Sequence, residues 1–332
     1  MKKIIILALC LLSTAGFAQM GFGKPEEVAA VKKRALLVML EEEDAKKVTK
    51  LNKKPEELAL YQSEIRRVND AMKEAAKYWT FHSTVDFKTR SEIIKLQEAK
   101  NKNYAVLSFT RYKIENWHTN FQSTAPNSAK IYYNGNTGSF TSTSSYWYGQ
   151  RYVGGSREIA SVYIDLIEGL ENGRPVYIQN LPNLFPTLGD LVFGVQMVQS
   201  YLEGRLSGKK RSEGMEDIKE YAEVLKTKTL LLDREDIKGN LREEEIAKNY
   251  PYKYIVTDYA TIEKAILEKD KNYAYVQITP MMGTSGFVHM VVDAEKALLI
   301  GYSAPAPIGL KGVGGAERIT PKHLKNYTRF VQ

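Results

Sequence analysis

Four carboxylates stand in a row at Glu41, Glu42, Glu43 and Asp44, directly after the apolar run 36–40 (LLVML). A second group, Asp233, Glu235 and Asp236, ends and follows the run 229–233 (TLLLD). Short continuous apolar runs of this kind read as buried strands. If the strands are parallel, acids at their carboxyl ends lie where open α/β sheets place ligand crevices. Glu41, Glu43 and Asp44 with Asp233, Glu235 and Asp236 are therefore candidates for a repeated site. It would hold a hard cation such as calcium or magnesium, or carry carboxylate-dependent hydrolase or transferase chemistry. The same acids would also complement the macrodipole of a following helix, and the ligand spacing of an EF-hand loop is absent.

The other chemistry-bearing residues are sparse. The histidines are His82, His118, His289 and His323, with no HExxH or HxH pairing, so a metalloprotease-type zinc site has no support. His289, on a strand, reads as a packed or half-exposed side chain rather than a base. Gly283-Thr284-Ser285-Gly286 lacks the spacing of a nucleophile elbow and reads as a turn. The stretch 309–315 (GLKGVGG) lacks the Gly-Lys-Ser/Thr ending of a phosphate loop and reads as a surface loop. A different capacity resides in 130–150, KIYYNGNTGSFTSTSSYWYGQ, which has a single charge. There Tyr132, Tyr133, Phe140, Tyr146, Trp147 and Tyr148 supply contact area, and Ser, Thr, Asn and Gly supply adaptable polar groups. This suits recognition of a polypeptide, a glycan or a second copy of the chain; a twisted hairpin over a sheet edge is the alternative.

Composition narrows the field. The chain has 332 residues, 43% hydrophobic and 26% charged, enough apolar material for one large domain or two ordinary ones. Its one cysteine, Cys10, lies in a segment that reads as a signal peptide at 1–18: Lys2 and Lys3, an apolar run 4–12, then Gly16-Phe17-Ala18. Removal of that segment leaves a cysteine-free chain, which excludes disulfides, thiol catalysis and thiolate metal sites. Leu9 stands where a lipid-attachment signal wants a small residue, so the expectation is a soluble exported protein, periplasmic or secreted. The net charge of +8 falls to +6 with the loss of Lys2 and Lys3. No basic stripe interleaved with stacking aromatics is present, so nucleic acid is not an expected partner. No later apolar stretch reaches the length of a spanning helix.

The elements that must position these residues repeat. Residues 92–106 (EIIKLQEAKNKNYAV) and 261–275 (TIEKAILEKDKNYAY) are 169 residues apart and match at Ile93/Ile262, Lys95/Lys264, Lys100/Lys269, Lys102/Lys271, Asn103/Asn272, Tyr104/Tyr273 and Ala105/Ala274. The flanks agree in order: a first strand with its acids, an aromatic strand (79–87 or 252–259), the matched helix and strand, a hairpin pair, and a closing helix. Thr187 with Asp190 resembles a capping box, and Thr320 before Pro321 an N-cap. The first copy has a long amphipathic helix from Pro55 to about Tyr78. The expected fold is two tandem diverged α/β domains, each strand-helix-strand-helix-strand-hairpin-helix around a mixed sheet. They occupy 25–203, with an insertion at 120–156, and 215–332, joined by a Gly- and Ser-containing linker at 204–214. The helix 188–202 is apolar over more than one face, as burial between domains or in a homodimer groove would require.

A unit with this order, with Asn272-Tyr273-Ala274-Tyr275-Val276 as third strand, Val291-Val292-Asp293 before a turn and Leu298-Leu299-Ile300 after it, resembles the periplasmic domains of the curli-secretion-channel type and of penicillin-binding-protein-activator lipoproteins. The resemblance covers the second copy better than the first. It departs from that pattern where Lys296-Ala297 replaces the usual turn glycine, and no lipid-bearing cysteine follows the signal. It implies a non-catalytic envelope role in which the domains present surfaces for assembly. The expected function is thus a binding, scaffold or accessory protein without a cofactor, its partner an envelope protein or a glycan. A hydrolase or transferase at the acidic strand ends, and a two-lobe binder of small ligands or glycans, are the alternatives.

Overall fold

The computed structural model describes residues 19–21, 23–113, 132–134, 139–141, 158–170, 174–209, 214–281, 287–304 and 317–331. Among the described residues after Gln19, the chain divides into two compact units, with the division at 212/213; Gln19 is grouped with the second unit although its strand joins the first sheet. The first contains β1 (Gln19–Gly21), α1 (Pro25–Lys33), β2 (Ala35–Leu40), α2 (Ala45–Leu51), α3 (Pro55–Ala75), β3 (Val85–Thr89), α4 (Arg90–Glu98), β4 (Tyr104–Lys113), β5 (Tyr132–Asn134), β6 (Ser139–Thr141), β7 (Glu158–Leu166), β8 (Tyr177–Asn180) and α5 (Leu188–Leu206). The second contains α6 (Gly214–Tyr221), β9 (Thr229–Asp233), α7 (Glu243–Asn249), β10 (Tyr254–Thr257), α8 (Tyr259–Leu267), β11 (Tyr273–Pro280), β12 (Phe287–Asp293), β13 (Leu299–Ser303) and α9 (Pro321–Tyr327). The fold is mixed α/β in both units.

The sheets are two copies of one topology. The first runs β3-β2-β4-β7-β8-β1 and the second β10-β9-β11-β12-β13. In each, the first three strands are parallel and the next two antiparallel. The ladders fix the correspondence residue by residue: Ala35 pairs with Tyr104 as Thr229 pairs with Tyr273, and Leu36 with Val85 as Leu230 with Tyr254. Thus Leu36 matches Leu230, one residue from the alignment suggested by the apolar runs. That shift brings Glu41 into register with Glu235 and Glu42 with Asp236.

The matched segment repeats at the level of single hydrogen bonds. Thr89 accepts from the Glu92 amide and Asp258 from the Thr261 amide, so each helix is capped at the same position. Lys100 and Lys269 both sit in the left-handed region, at φ 53° and 51°. Each closes its helix with the next residue's amide donated back to Leu96 or Ala265. Ala297, where a turn glycine was the usual residue, is likewise left-handed at φ 54°.

Three expectations are corrected. The aromatic strand expected at 79–87 begins only at Val85. Trp79 and Phe81 are buried by edge-on ring packing, 5.8 Å between centroids, and this packing, not a strand, produces their alternation. The joining segment starts later than 204, because α5 continues to Leu206 and Gly204 accepts from the Lys209 amide. The wide apolar surface of α5 is consumed within the first unit, where the helix packs against β7, β8, α1 and α3. A Cβ at Gly194 would lie 2.7 Å from Leu181 and 2.8 Å from Val162, so glycine permits that close seating. Burial between domains or a dimer groove is not needed to cover it.

Candidate functional site

The acids of the first copy disperse over four local roles. Glu41 has its backbone clamped by Asn69, which accepts from its amide at 2.7 Å and donates to its carbonyl at 2.9 Å. Its carboxyl is raised above the ordinary range by burial, opposed by the charges of Arg111 and Arg90. Glu42 accepts from the hydroxyl and amide of Ser91 at the start of α4, each at 2.6 Å, and these bonds lower its pKa, the hydroxyl most. Glu43 accepts from Gln62 at 3.0 Å. Asp44 caps α2 through the amides of Lys46 and Lys47.

In the second copy Asp233 accepts from the Glu235 amide at 3.0 Å. Asp236 is buried and its carbonyl accepts from the Ile319 amide at 2.7 Å, while Glu235 is exposed. The macrodipole and turn roles therefore account for Glu42, Asp44 and Asp233. Among the described residues no group of three or more His, Cys, Asp or Glu side chains converges as a metal site would. The calcium or magnesium reading finds no such convergence at Glu41, Glu43 and Asp44 or at Asp233, Glu235 and Asp236.

A charge network absent from the sequence reading lies beside Glu41. Glu64, 6% exposed, accepts two hydrogen bonds from Arg67 at 2.8 Å and one from Arg111. Those arginines also donate to the carbonyls of Pro186 and Leu184, so they fix the approach to α5. The signal was present: Glu64 lies on the α3 face between Tyr61 and Val68, both buried. A carboxylate there must be paired.

The histidines hold structure. His82 accepts from Trp79 Nε1 at 3.0 Å and donates to the Val31 carbonyl at 2.8 Å. His289 is fully buried, 2.7 Å from the Tyr327 hydroxyl, with its ring 3.9 Å from that of His323. His323 accepts from the Thr320 amide at 3.2 Å, replacing the usual capping-box carboxylate, and burial lowers its pKa. His118 lies outside the described residues.

Of the aromatic insertion, Tyr132 and Tyr133 lie on β5 and Phe140 on β6, with Tyr133 opposite Phe140 in an antiparallel pair. Tyr146, Trp147 and Tyr148 lie outside the described residues, as do 283–286, the loop 309–315 and the expected signal at 1–18.

A cleft of about 640 Å³ opens in the second unit, lined by Arg234, Lys238, Leu241, Ile246 and the strand β10. Its far wall is drawn in by a hydrogen bond from the Tyr254 hydroxyl to the Glu243 carbonyl. β10 is the terminal strand of its sheet, and Ile255 is 45% exposed on it.

The fold and these sites define a duplicated mixed α/β protein whose second copy combines an open strand edge with a cleft. Comparison with protein-family models, with curated proteins and with solved structures finds no match. Among the described residues no helix is long and apolar enough to cross a membrane.

Proposed function

We propose that this chain is exported and acts in the cell envelope, periplasmic or secreted, by binding: a scaffold or accessory factor that engages an envelope protein or glycan through its surfaces. The observation that carries the reading is how its polar groups are used. His82, His289, His323, Glu42, Asp44 and Asp233 are engaged in hydrogen bonds that hold turns, helix ends and packed rings. Among the described residues, Ile255 on the edge and Arg234 and Lys238 in the cleft of the second unit are exposed. The Lys2-Lys3, apolar and Gly16-Phe17-Ala18 sequence supports export, and the aromatic, nearly uncharged 130–150 segment supports recognition.

The test is affinity capture from envelope extracts with mass spectrometry, using the intact mature chain and a variant lacking 130–150. Reproducible capture that the deletion abolishes supports the reading. Retention of the protein in the cytoplasm, or identical capture profiles for the two, counts against it. Carboxylate chemistry keeps one support, the raised Glu41 beside Arg90 and Arg111. Hydrolysis of simple ester, phosphate or glycoside substrates that is lost in Glu41→Gln would favour that second reading.

A further inference from the structure

We propose that the free edge of β10 and the cleft beside it take up an extended acidic peptide as an added strand of the second sheet. The inference rests on the binding reading and names the site and its ligand class. The main chain sets the first condition. The Leu230 amide donates to the Lys253 carbonyl at 2.9 Å, and the parallel register places Tyr254 beside Leu230 and Val256 beside Leu232. In a parallel ladder alternate residues of a strand bond to one neighbour, so Ile255 and Thr257 direct their amides to β9. Tyr254 and Val256 direct amide and carbonyl groups away from the sheet, where an added strand would meet them.

The duplication supplies an internal control. Natural edges are blunted by charged side chains, proline or bulges. The equivalent edge of the first copy follows that rule: Asp86 and Lys88 on β3 sit beside Leu37 and Met39. At the matching positions, beside Leu231 and Asp233, β10 carries Ile255 and Thr257, with an unbroken register and no proline. β3 thus carries charges within the strand, whereas those of the four-residue β10 lie just outside it, at Lys253 and Asp258. Ile255 is 45% exposed, an apolar contact of the kind a strand partner covers; Phe87 on β3 is 41% exposed, so it is the in-strand charge that separates the two edges.

The cleft specifies the ligand. Its volume lies in the range of binding pockets. Arg234 and Lys238 line it as exposed cations after β9, with Glu243 the one acid among its described lining residues and Asp258 within electrostatic reach of Arg234. Lys253 adds a charge at the start of β10. The complement is an extended segment with an apolar side chain over Ile255 and Asp or Glu facing Arg234 and Lys238. A second copy of β10 is a poorer fit, because the strand carries no Asp or Glu of its own to face Arg234 and Lys238.

The test uses the full mature chain and fluorescent pentapeptides followed by anisotropy: Ac-Asp-Val-Glu-Val-Thr, its Lys-for-acid counterpart, and the acidic peptide N-methylated at alternate amides. Saturable binding of the acidic peptide is expected, with at least a tenfold loss for the lysine peptide and for the N-methylated one. Ile255→Ser, which removes the apolar contact without adding a charge that would attract the acidic peptide, should weaken binding at least tenfold. Val256→Pro, which removes an outward amide and leaves the ladder to β9 intact, should do the same. Arg234→Glu with Lys238→Glu should reverse the charge preference. Circular dichroism melts verify that the variants are folded, and the N-methylated peptide tests the geometry with no change to the protein. No saturable binding at millimolar peptide, equal binding of the N-methylated form, or self-association abolished by Ile255→Ser would each overturn the proposal. Envelope capture that succeeds while the peptide fails would remove this inference and leave the broader binding reading standing.

Discussion

Asp165, near the end of β7, offers a sharp test of the first unit's electrostatics. Its side chain is 6% exposed, and its pKa is pushed up from 3.8 to about 7. Burial is the main cause, with the charges of Glu27 and Glu168 adding to it, while hydrogen bonds including one from the Leu166 amide at 2.8 Å oppose it. Gly169 seals the site, since a Cβ there would lie 2.7 Å from the carboxyl oxygen. The folded chain therefore holds a proton that the unfolded chain has lost between pH 3.8 and about 7. Stability falls as pH rises through that window, and the full cost applies above it. At about 1.4 kcal/mol per unit, the cost approaches ~4 kcal/mol at pH 8, or about 2–4 after local relaxation.

Asp165→Asn keeps the oxygen that accepts from Leu166 and removes the ionisation. The variant should be nearly as stable as the parent at pH 4, and its advantage should grow to about 2–4 kcal/mol at pH 8. Urea unfolding followed by the fluorescence of Trp79, in parent and variant that both carry Trp117→Phe and Trp147→Phe, reports this unit, because Trp79 is buried within it. A pH-independent difference between the two proteins, or a variant less stable at pH 8, would refute the reasoning.

Other outcomes follow from the same structure. Glu64→Ala leaves the guanidinium groups of Arg67 and Arg111 without their carboxylate, so the first unit should lose about 3–5 kcal/mol in the same fluorescence assay. Lys100→Gly and Lys269→Gly relieve left-handed backbone at matched positions. Each should stabilise its own unit by about 0.5–1 kcal/mol, read by fluorescence for the first and by circular dichroism for the second. Because Glu42, Asp44 and Asp233 serve caps and turns and the acids beside them do not converge as a cluster, calorimetric titration with calcium or magnesium should give no saturable heat.

The duplication was legible in the sequence because the helix-to-strand junction is a local device. A capped helix, a left-handed closing residue and an Asn leading into the strand require particular residues in a fixed order, and 92–106 and 261–275 kept them. The one-residue error in aligning the first strands has a physical cause: an all-apolar central strand has no alternation to show its register. Trp79 and Phe81 mimicked a strand because buried rings on an irregular segment also alternate with polar residues. Glu64 looks in the sequence like one helix charge among many, although its position between Tyr61 and Val68 places it inside. The contrast between β3 and β10 became visible only with the ladders, which set Asp86 against Leu37 as they set Ile255 against Leu231.

Amide hydrogen exchange resolved along β10, with and without the acidic peptide, tests the account most directly. In the free protein the amides of Ile255 and Thr257 should be protected and those of Tyr254 and Val256 should exchange rapidly. Bound peptide should slow Tyr254 and Val256 and leave the other two unchanged. Uniform protection of all four residues in the free protein, or no change at Tyr254 and Val256 with saturating peptide, would contradict both the register of the edge and its use as a binding site.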